Sequence, residues 1–265
     1  MAKISRSCTA FLLFLVSTLP LSALAQTEQL NRLAGSVPDI GGVWGTIGVI
    51  NPKSGGRGMA DPPLSKQGQA IVNAFRGQYN LEGMEPNAHC VEPGMPTIFF
   101  GYGTAPIEIV QQPQRVTVLA ELGMQVRRIY LDRNAPPDGF PHTRVGFSSA
   151  HWEKDALLVN TRLLTEWYLP RWPHSDTTTM QERIYLKKAK ELNLPNPQRF
   201  RNTNPIEPDS WILVNELTMT DAALYDEPHK MIIYFRPLPD DAILEDNCIE
   251  GLWWEEMEKL KHNPG

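Results

Sequence analysis

From Ile107 onward the chain repeats one pattern: short runs of alternating apolar and polar residues, rich in β-branched and aromatic side chains, each closed by Gly, Pro, Asn or Asp. Residues 107–111, 115–120, 124–131, 147–152, 156–161, 180–187, 211–219 and 230–236 fit it, and it predicts half-buried strands. Upstream, Pro38 to Gly45 reads as a turn feeding a first short strand, and Asn51 to Pro63 as a loop. Ser65 suits the N-cap of a short helix through Phe75, with Ile71, Ala74 and Phe75 on one side. Leu30 and Leu33 suggest a loose helical turn within Gln26 to Val37. Residues 77–106 read as irregular backbone draped over the domain, and the proline-rich stretch 188–208 as an excursion covering a mouth. Trp253-Trp254 and the Glu/Lys-rich tail suggest a C-terminal helix. Hairpin-length connections between short strands predict an all-β, mostly antiparallel fold with a few short helices. A lipocalin-like or related β-barrel is expected first and a β-sandwich second. No βαβ alternation, GxGxxG or P-loop is present, which sets nucleotide-binding folds aside.

The first 25 residues change the picture. Lys3 and Arg6 precede the apolar run Ala10–Val16, and Ala23-Leu24-Ala25 offers a small-x-small cleavage site. This is a signal-peptide pattern, and the apolar run is shorter than the about 20 residues a spanning helix needs. A periplasmic or secreted protein is expected, with residues 26–265 as one β-rich domain. Loss of Lys3 and Arg6 moves the formal charge from −5 to about −7. That balance lacks the basic footprint of a nucleic-acid binder or of a protein drawn to anionic membranes. The expected partner is a small apolar or aromatic molecule. Cys8 leaves with the leader, so Cys90 and Cys248 remain. In an oxidising compartment they can form one disulfide, closing about 160 residues for roughly 5 kcal/mol at the upper end. The competing arrangement is one reactive thiol and one bystander.

Several segments occur together in a recognisable order: Pro38-Asp39-Ile40-Gly41-Gly42-Val43-Trp44, Pro106 to Gln111, Gln125 to Tyr130, and His151 to Thr161. Pro173-His174-Ser175-Asp176, Glu182-Arg183, Asp221 through Tyr225 to Pro228, and Cys248-Ile249-Glu250-Gly251 complete the series. Across nearly the whole mature chain, this series resembles a family of exported bacterial proteins whose members are mostly uncharacterised. The resemblance implies export and supports the Cys90–Cys248 bridge, and it implies little about activity. Family members usually carry Trp-Glu-Gly-Asp where this chain has Trp152-Glu153-Lys154-Asp155, so the hairpin is expected but its turn type is open.

Candidate chemistry follows from side-chain faces, since alternate residues of a strand share one. Met180, Glu182, Ile184 and Leu186 point the same way, placing Glu182 among apolar neighbours; Val126, Arg128 and Tyr130 share a face elsewhere. A charge on an inward face is costly unless paired, so a Glu182–Arg128 or Glu108–Arg128 pair is expected in a cavity. A structural bridge, or an outward apolar face, is the competing reading. His142, His151 and His174 fall in loops at strand ends. His174, with Asp176 or Ser175 to orient it, suits a general acid or base. A site built on His142, His174 and a carboxylate would suit a metal, but neither HExxH nor a close His-x-His pair is present, and no metal or other cofactor is expected. Gly146-Phe147-Ser148-Ser149-Ala150 half matches a serine-hydrolase elbow without its strand-to-helix setting.

Two functions remain. One is cofactor-free acid–base chemistry of lyase, isomerase or hydrolase type on a small apolar or aromatic molecule. His174 or Glu182 would move the proton, Asp176 would orient and Arg128 would stabilise negative charge, while Glu108, Tyr130, His142 and Trp172 would bind. The other is a non-catalytic carrier of such a molecule.

Overall fold

The computed structural model describes residues 30, 32–33, 37–50, 61–79, 94–100, 105–168, 172–194 and 205–245. Residues 1–25, Cys90, Cys248 and Trp253-Trp254 lie outside them, so the expected signal peptide, disulfide and C-terminal helix fall outside the described residues. Nine strands form a closed barrel in chain order: β1 (Gly42–Ile50), β2 (Ile107–Gln112), β3 (Arg115–Ala120), β4 (Gln125–Tyr130), β5 (Phe147–Glu153), β6 (Ala156–Arg162), β7 (Thr179–Lys188), β8 (Trp211–Thr220) and β9 (His229–Pro237). β9 pairs with β1, so the sheet has closed on itself and is not a sandwich.

Nine strands cannot alternate direction all the way round a ring; one neighbouring pair must run parallel. That pair is β4–β5, and only Ile129↔Ser148 and Tyr130↔Ser149 are in register there. By contrast, β7 and β8 match along the whole of both strands. Outside this short seam, Tyr130 stacks on Phe147 at 5.4 Å and 17°. Arg133 lies 4.8 Å from the Tyr130 ring centre and Arg162 lies 5.8 Å from that of Phe147. Rings and guanidinium groups therefore cover a place where the backbone ladder is shortest.

The alternation read from the sequence sets the two faces. Inward positions such as Ile107, Ile109, Val116, Val118, Ile233 and Phe235 are buried in one core cluster. The Pro38–Trp44 lead enters this core with Ile40 fully buried and the Trp44 indole donating to Ile40 O at 3.0 Å. The Gln111 amide holds the lead on both sides, accepting from Ile40 N and donating to Pro38 O. Arg32 bridges Pro38 in antiparallel fashion and Leu33 N donates to Val37 O, while most of the segment expected as a helical turn lies outside the described residues.

One end of the barrel is capped. Helix α1 (Lys66–Tyr79) starts at Ser65, whose Oγ accepts from Gly68 N at 2.9 Å. Ser65 N donates to Leu224 O, and Asp226 N to Pro63 O, which fixes the helix against the β8–β9 connection. At Gly68 a Cβ would lie 2.1 Å from Leu224 O, so only glycine permits this approach. The stretch 77–106 is expected as irregular backbone draped over the domain; of its described residues, 77–79 belong to α1 and 94–100 enter the core. Residues 94–100 form a short 3₁₀ turn (Thr97–Phe99) that inserts Met95, Ile98 and Phe99 into the core. Apolar side chains outweigh the irregular backbone, whose polar groups find partners: Met95 N donates to Arg144 O, and Thr46 Oγ1 to Phe99 O at 2.7 Å. The β7–β8 excursion also departs from expectation. Its described parts lie on the outer wall, where Ala189, Leu192, Leu194 and Ile206 cover Ile212, Val214 and Tyr234. Outward positions of β8 and β9 are apolar there, so the wall itself needs covering.

At the β5–β6 hairpin, Glu153 pairs with Ala156 and leaves Lys154-Asp155 as a two-residue turn with Lys154 at φ 54°. A side chain in this left-handed region is strained. Lys154 is exposed, so Lys154→Gly should raise stability by about 0.5–1 kcal/mol, read as a higher midpoint in urea denaturation.

Candidate functional site

The inward faces of β4 to β8 carry a belt of polar side chains. Arg127 on β4 and Glu182 on β7 are both fully enclosed and form a two-point ion pair: Arg127 Nη1 donates to Glu182 Oε1 at 3.0 Å and Nη2 donates to Oε2. Arg127 Nε reaches Ser148 Oγ on β5 at 3.1 Å, and Nη2 reaches Thr161 Oγ1 on β6 at 2.8 Å. Ser148 and Thr161 also bond each other at 2.9 Å. Asn215 on β8 donates Nδ2 to Glu182 Oε1 at 2.9 Å. Phe99 of the cap lies over the guanidinium at 5.6 Å. The five polar side chains are each 3 % exposed or less, with Leu157, Met180 and Leu217 as buried apolar neighbours in the same core. Burying two charges is costly, and the fork geometry with three further partners offsets much of that cost.

Two acceptors in this region lack a donor among the described residues: Asn215 Oδ1 and Gln125 Oε1. Gln125 shares the inward face of β4 with Arg127 and donates Nε2 to Leu122 O at 3.4 Å. In both amides the nitrogen is held by an acceptor, so the oxygen must point elsewhere.

A second polar group sits at the capped end. Asp221 accepts from Ser175 N and Oγ, Thr178 Oγ1, Ala223 N and Leu224 N. Burial alone would raise its pKa, but hydrogen bonds from Thr178, Ser175 and Ala223 outweigh this and hold it below the ordinary value. His174 is buried, donates Nδ1–H to Trp172 O at 2.8 Å, and has its pKa lowered by burial despite backbone bonds at Trp172 and Thr165. His229 is buried against Trp172 (5.4 Å) and Tyr225 (6.0 Å), and burial pushes it down to about 4. The Tyr225 hydroxyl ties this group to Pro173 O.

Several expected roles change. Glu182 is inward and paired, but with Arg127, because β4 turns Gln125, Arg127 and Ile129 to the core. Arg128 is exposed on the outer wall opposite Thr117, and Glu108 faces outward opposite Leu119, so neither forms the expected interior pair. Tyr130 belongs to the outer stack at the seam. Asp176 is exposed, and the His174 ring is held by backbone; the buried carboxylate of that region is Asp221. His142 is exposed with Nδ1 at 3.0 Å from Leu164 O, and His151 lies on the outer face of β5. Among the described residues no group of three His, Cys, Asp or Glu side chains could hold a metal ion, so His142 and His174 do not form the site considered above. Trp172 is buried beneath the cap, stacked on Phe100 at 4.6 Å. Ser148, the middle of the half-matched elbow, is a partner of Arg127.

Arg127, Ser148, Thr161, Asn215, Gln125, Asp221 and His229 were given no site role from sequence, although Ser148 stood in the half-matched elbow and Gln125, Arg127, Thr161 and Asp221 in the quoted segments. On β4 both alternating sets contain an arginine and an apolar residue, so local pattern does not choose between them. Register with Val116 and Val118 of β3 decides it. Comparison with protein-family models and with curated proteins gave no match.

Arg127→Met should destabilise the fold by about 3–5 kcal/mol, because Glu182 is left as an uncompensated buried charge. Arg127→Met combined with Glu182→Leu should recover most of that loss, as a double-mutant cycle in urea would measure. The two buried histidines set an acid response. Their folded pKa values lie below 6.5, so between these values the unfolded chain binds more protons. Their contribution is complete above pH 6.5 and is lost as pH falls toward their folded values, near 4 for His229. From about pH 7.5 to about pH 5, His229 alone should remove about 2 kcal/mol, and His229→Phe should flatten that slope. Asp221 adds a loss only below its ordinary value of 3.8.

Proposed function

We propose that this is an exported carrier protein whose barrel interior holds a small, largely apolar molecule bearing a hydrogen-bond donor. The observation that carries the reading is Asn215. Its Nδ2 is committed to Glu182, and its Oδ1 is buried without a donor among the described residues. A buried acceptor left unmade costs about 1–3 kcal/mol, which a bound donor would restore. The inward faces of β9 and β1 to β3 are mainly apolar core, so a molecule seated among them would have to be apolar in its body. The acid–base alternative has less support. Both Glu182 oxygens accept from Arg127, and burial disfavours the charged form of His174. Export accords with the signal-peptide pattern, and an oxidising compartment would suit Cys90 and Cys248.

Native mass spectrometry of the mature protein, with a denatured control, tests the carrier reading. A retained organic mass that is lost in Asn215→Leu while the barrel still folds is the expected result. A wild-type protein that retains only water and binds no small apolar donor in calorimetry would sink it.

A further inference from the structure

We infer that acid opens the capped end of the barrel as a unit while the strand ring stays closed, with His229 as the trigger. The inference goes beyond the carrier reading and does not depend on it. His229 occupies the last matched rung of the β8–β9 ladder, opposite Met219, where the sheet ends and the cap begins. It is 3 % exposed, and two rings of the cap lie against it, Trp172 and Tyr225. Its Nε2 has no hydrogen-bond partner among the described residues. A protonated imidazole carries two N–H donors and a full charge, and the closed site offers Nε2 no acceptor. The surrounding charged groups do not answer that charge either. On the β6–β7 connection, His174 is a second buried imidazole and Asp176 is exposed. On the β8–β9 connection, Asp221 already accepts from Ser175, Thr178, Ala223 and Leu224, the Tyr225 hydroxyl donates to Pro173 O, and Asp226 and Glu227 are exposed. Lys230 on β9 is exposed, and Glu216 on β8 accepts from Tyr185 on the outer wall. Lys66, the one charged residue among the described side chains of α1, is exposed, and residues 94–100 carry no charge.

The cap is tied down by far fewer bonds than the strands are. Ser65 N to Leu224 O and Asp226 N to Pro63 O fasten α1 to the β8–β9 connection, Trp167 and His174 exchange one backbone pair, and the Tyr225 hydroxyl holds Pro173 O. Beneath it, β7 and β8 match along their whole length. Lifting α1 and the two connections hydrates His229 and leaves every rung from Thr218↔Lys230 onward in place. Local opening therefore relieves the buried charge with fewer broken bonds than unfolding the ring. In the closed cap burial pushes His229 down to about 4, and in an opened cap it returns toward 6.5. Between those values the open form binds more protons, so opening grows as pH falls. His174, lowered by burial in the same cap, acts in the same direction. Asp221, held below its ordinary 3.8, stays ionised through this window.

Amide hydrogen exchange of the mature protein at pH 7.5 and pH 5, corrected for the intrinsic effect of pH on exchange, tests this. Protection of α1 and of residues 221–228 should fall by about thirtyfold from His229 alone, the ratio set by its open and closed values across that interval. Protection of β2, β3, β7 and β8 should hold. In His229→Phe the fall at the cap should shrink to the share of His174, and His229→Leu serves the same purpose should the phenylalanine variant fail to fold. The regional pattern in wild-type protein needs no variant. A loss of protection spread evenly over ring and cap, unchanged protection of the cap at pH 5, or an undiminished fall in a folded His229 variant would each overturn the inference. None of these outcomes bears on the carrier reading, which is tested by retained mass.

Discussion

Arg127 is the residue on which the barrel most depends. It stands where the sheet has its one parallel pair and its shortest run of matched backbone, and from there it reaches β5, β6 and β7 in turn. Through Glu182 the connection continues to β8. A planar fork with several donors is needed for this; lysine would offer a single point and leave partners unmatched. The charge must also be neutralised locally, since water does not reach it, and Glu182 answers it in two-point geometry. The ion pair is therefore less an addition to the core than the means by which five strands agree on one arrangement.

This constraint makes the barrel interior two-sided. Polar groups gather along β4 to β8, while β9 and β1 to β3 present mainly apolar side chains. The cap continues the contrast. Phe99 covers the guanidinium and meets Phe235 on the apolar side at 5.9 Å. Close by, Asp221 gathers backbone and hydroxyl donors from the β6–β7 and β8–β9 connections, so the cap is anchored by one carboxylate as the wall is by another.

Strands were legible because each depends on its own residues: alternation fixed β3 at Arg115–Ala120, and the bracketing turns placed β5 and β6 within a residue. Helix α1 was legible from Ser65 for the same local reason. The inward position of Glu182 followed from its apolar neighbours in the same phase. Its partner did not, because Arg127 and Arg128 are adjacent and the choice is made by pairing with β3 and by the parallel seam. The cap was hidden for a related reason. Nothing local in Met95-Pro96-Thr97-Ile98-Phe99 distinguishes a loop that covers the surface from one that fills a barrel end. Residues far apart in the chain meet in space: Gln111 grips Pro38 and Ile40, Arg127 grips Glu182, and Asp221 grips Ser175.

Leu238 N donates to Val43 O at 2.9 Å, so the chain leaves the barrel beside the point where it entered. Followed as a circle, the strand order from β5 through β9 and on from β1 to β4 is antiparallel at every step. The odd link falls between the two strands joined by residues 131–146. A circular permutant cut within that connection and rejoined between β9 and β1 would have an uninterrupted antiparallel order, with β5 first and β4 last. Its first and last strands would then be held together chiefly by side chains, and the natural order differs only in tying that weakest join with covalent chain.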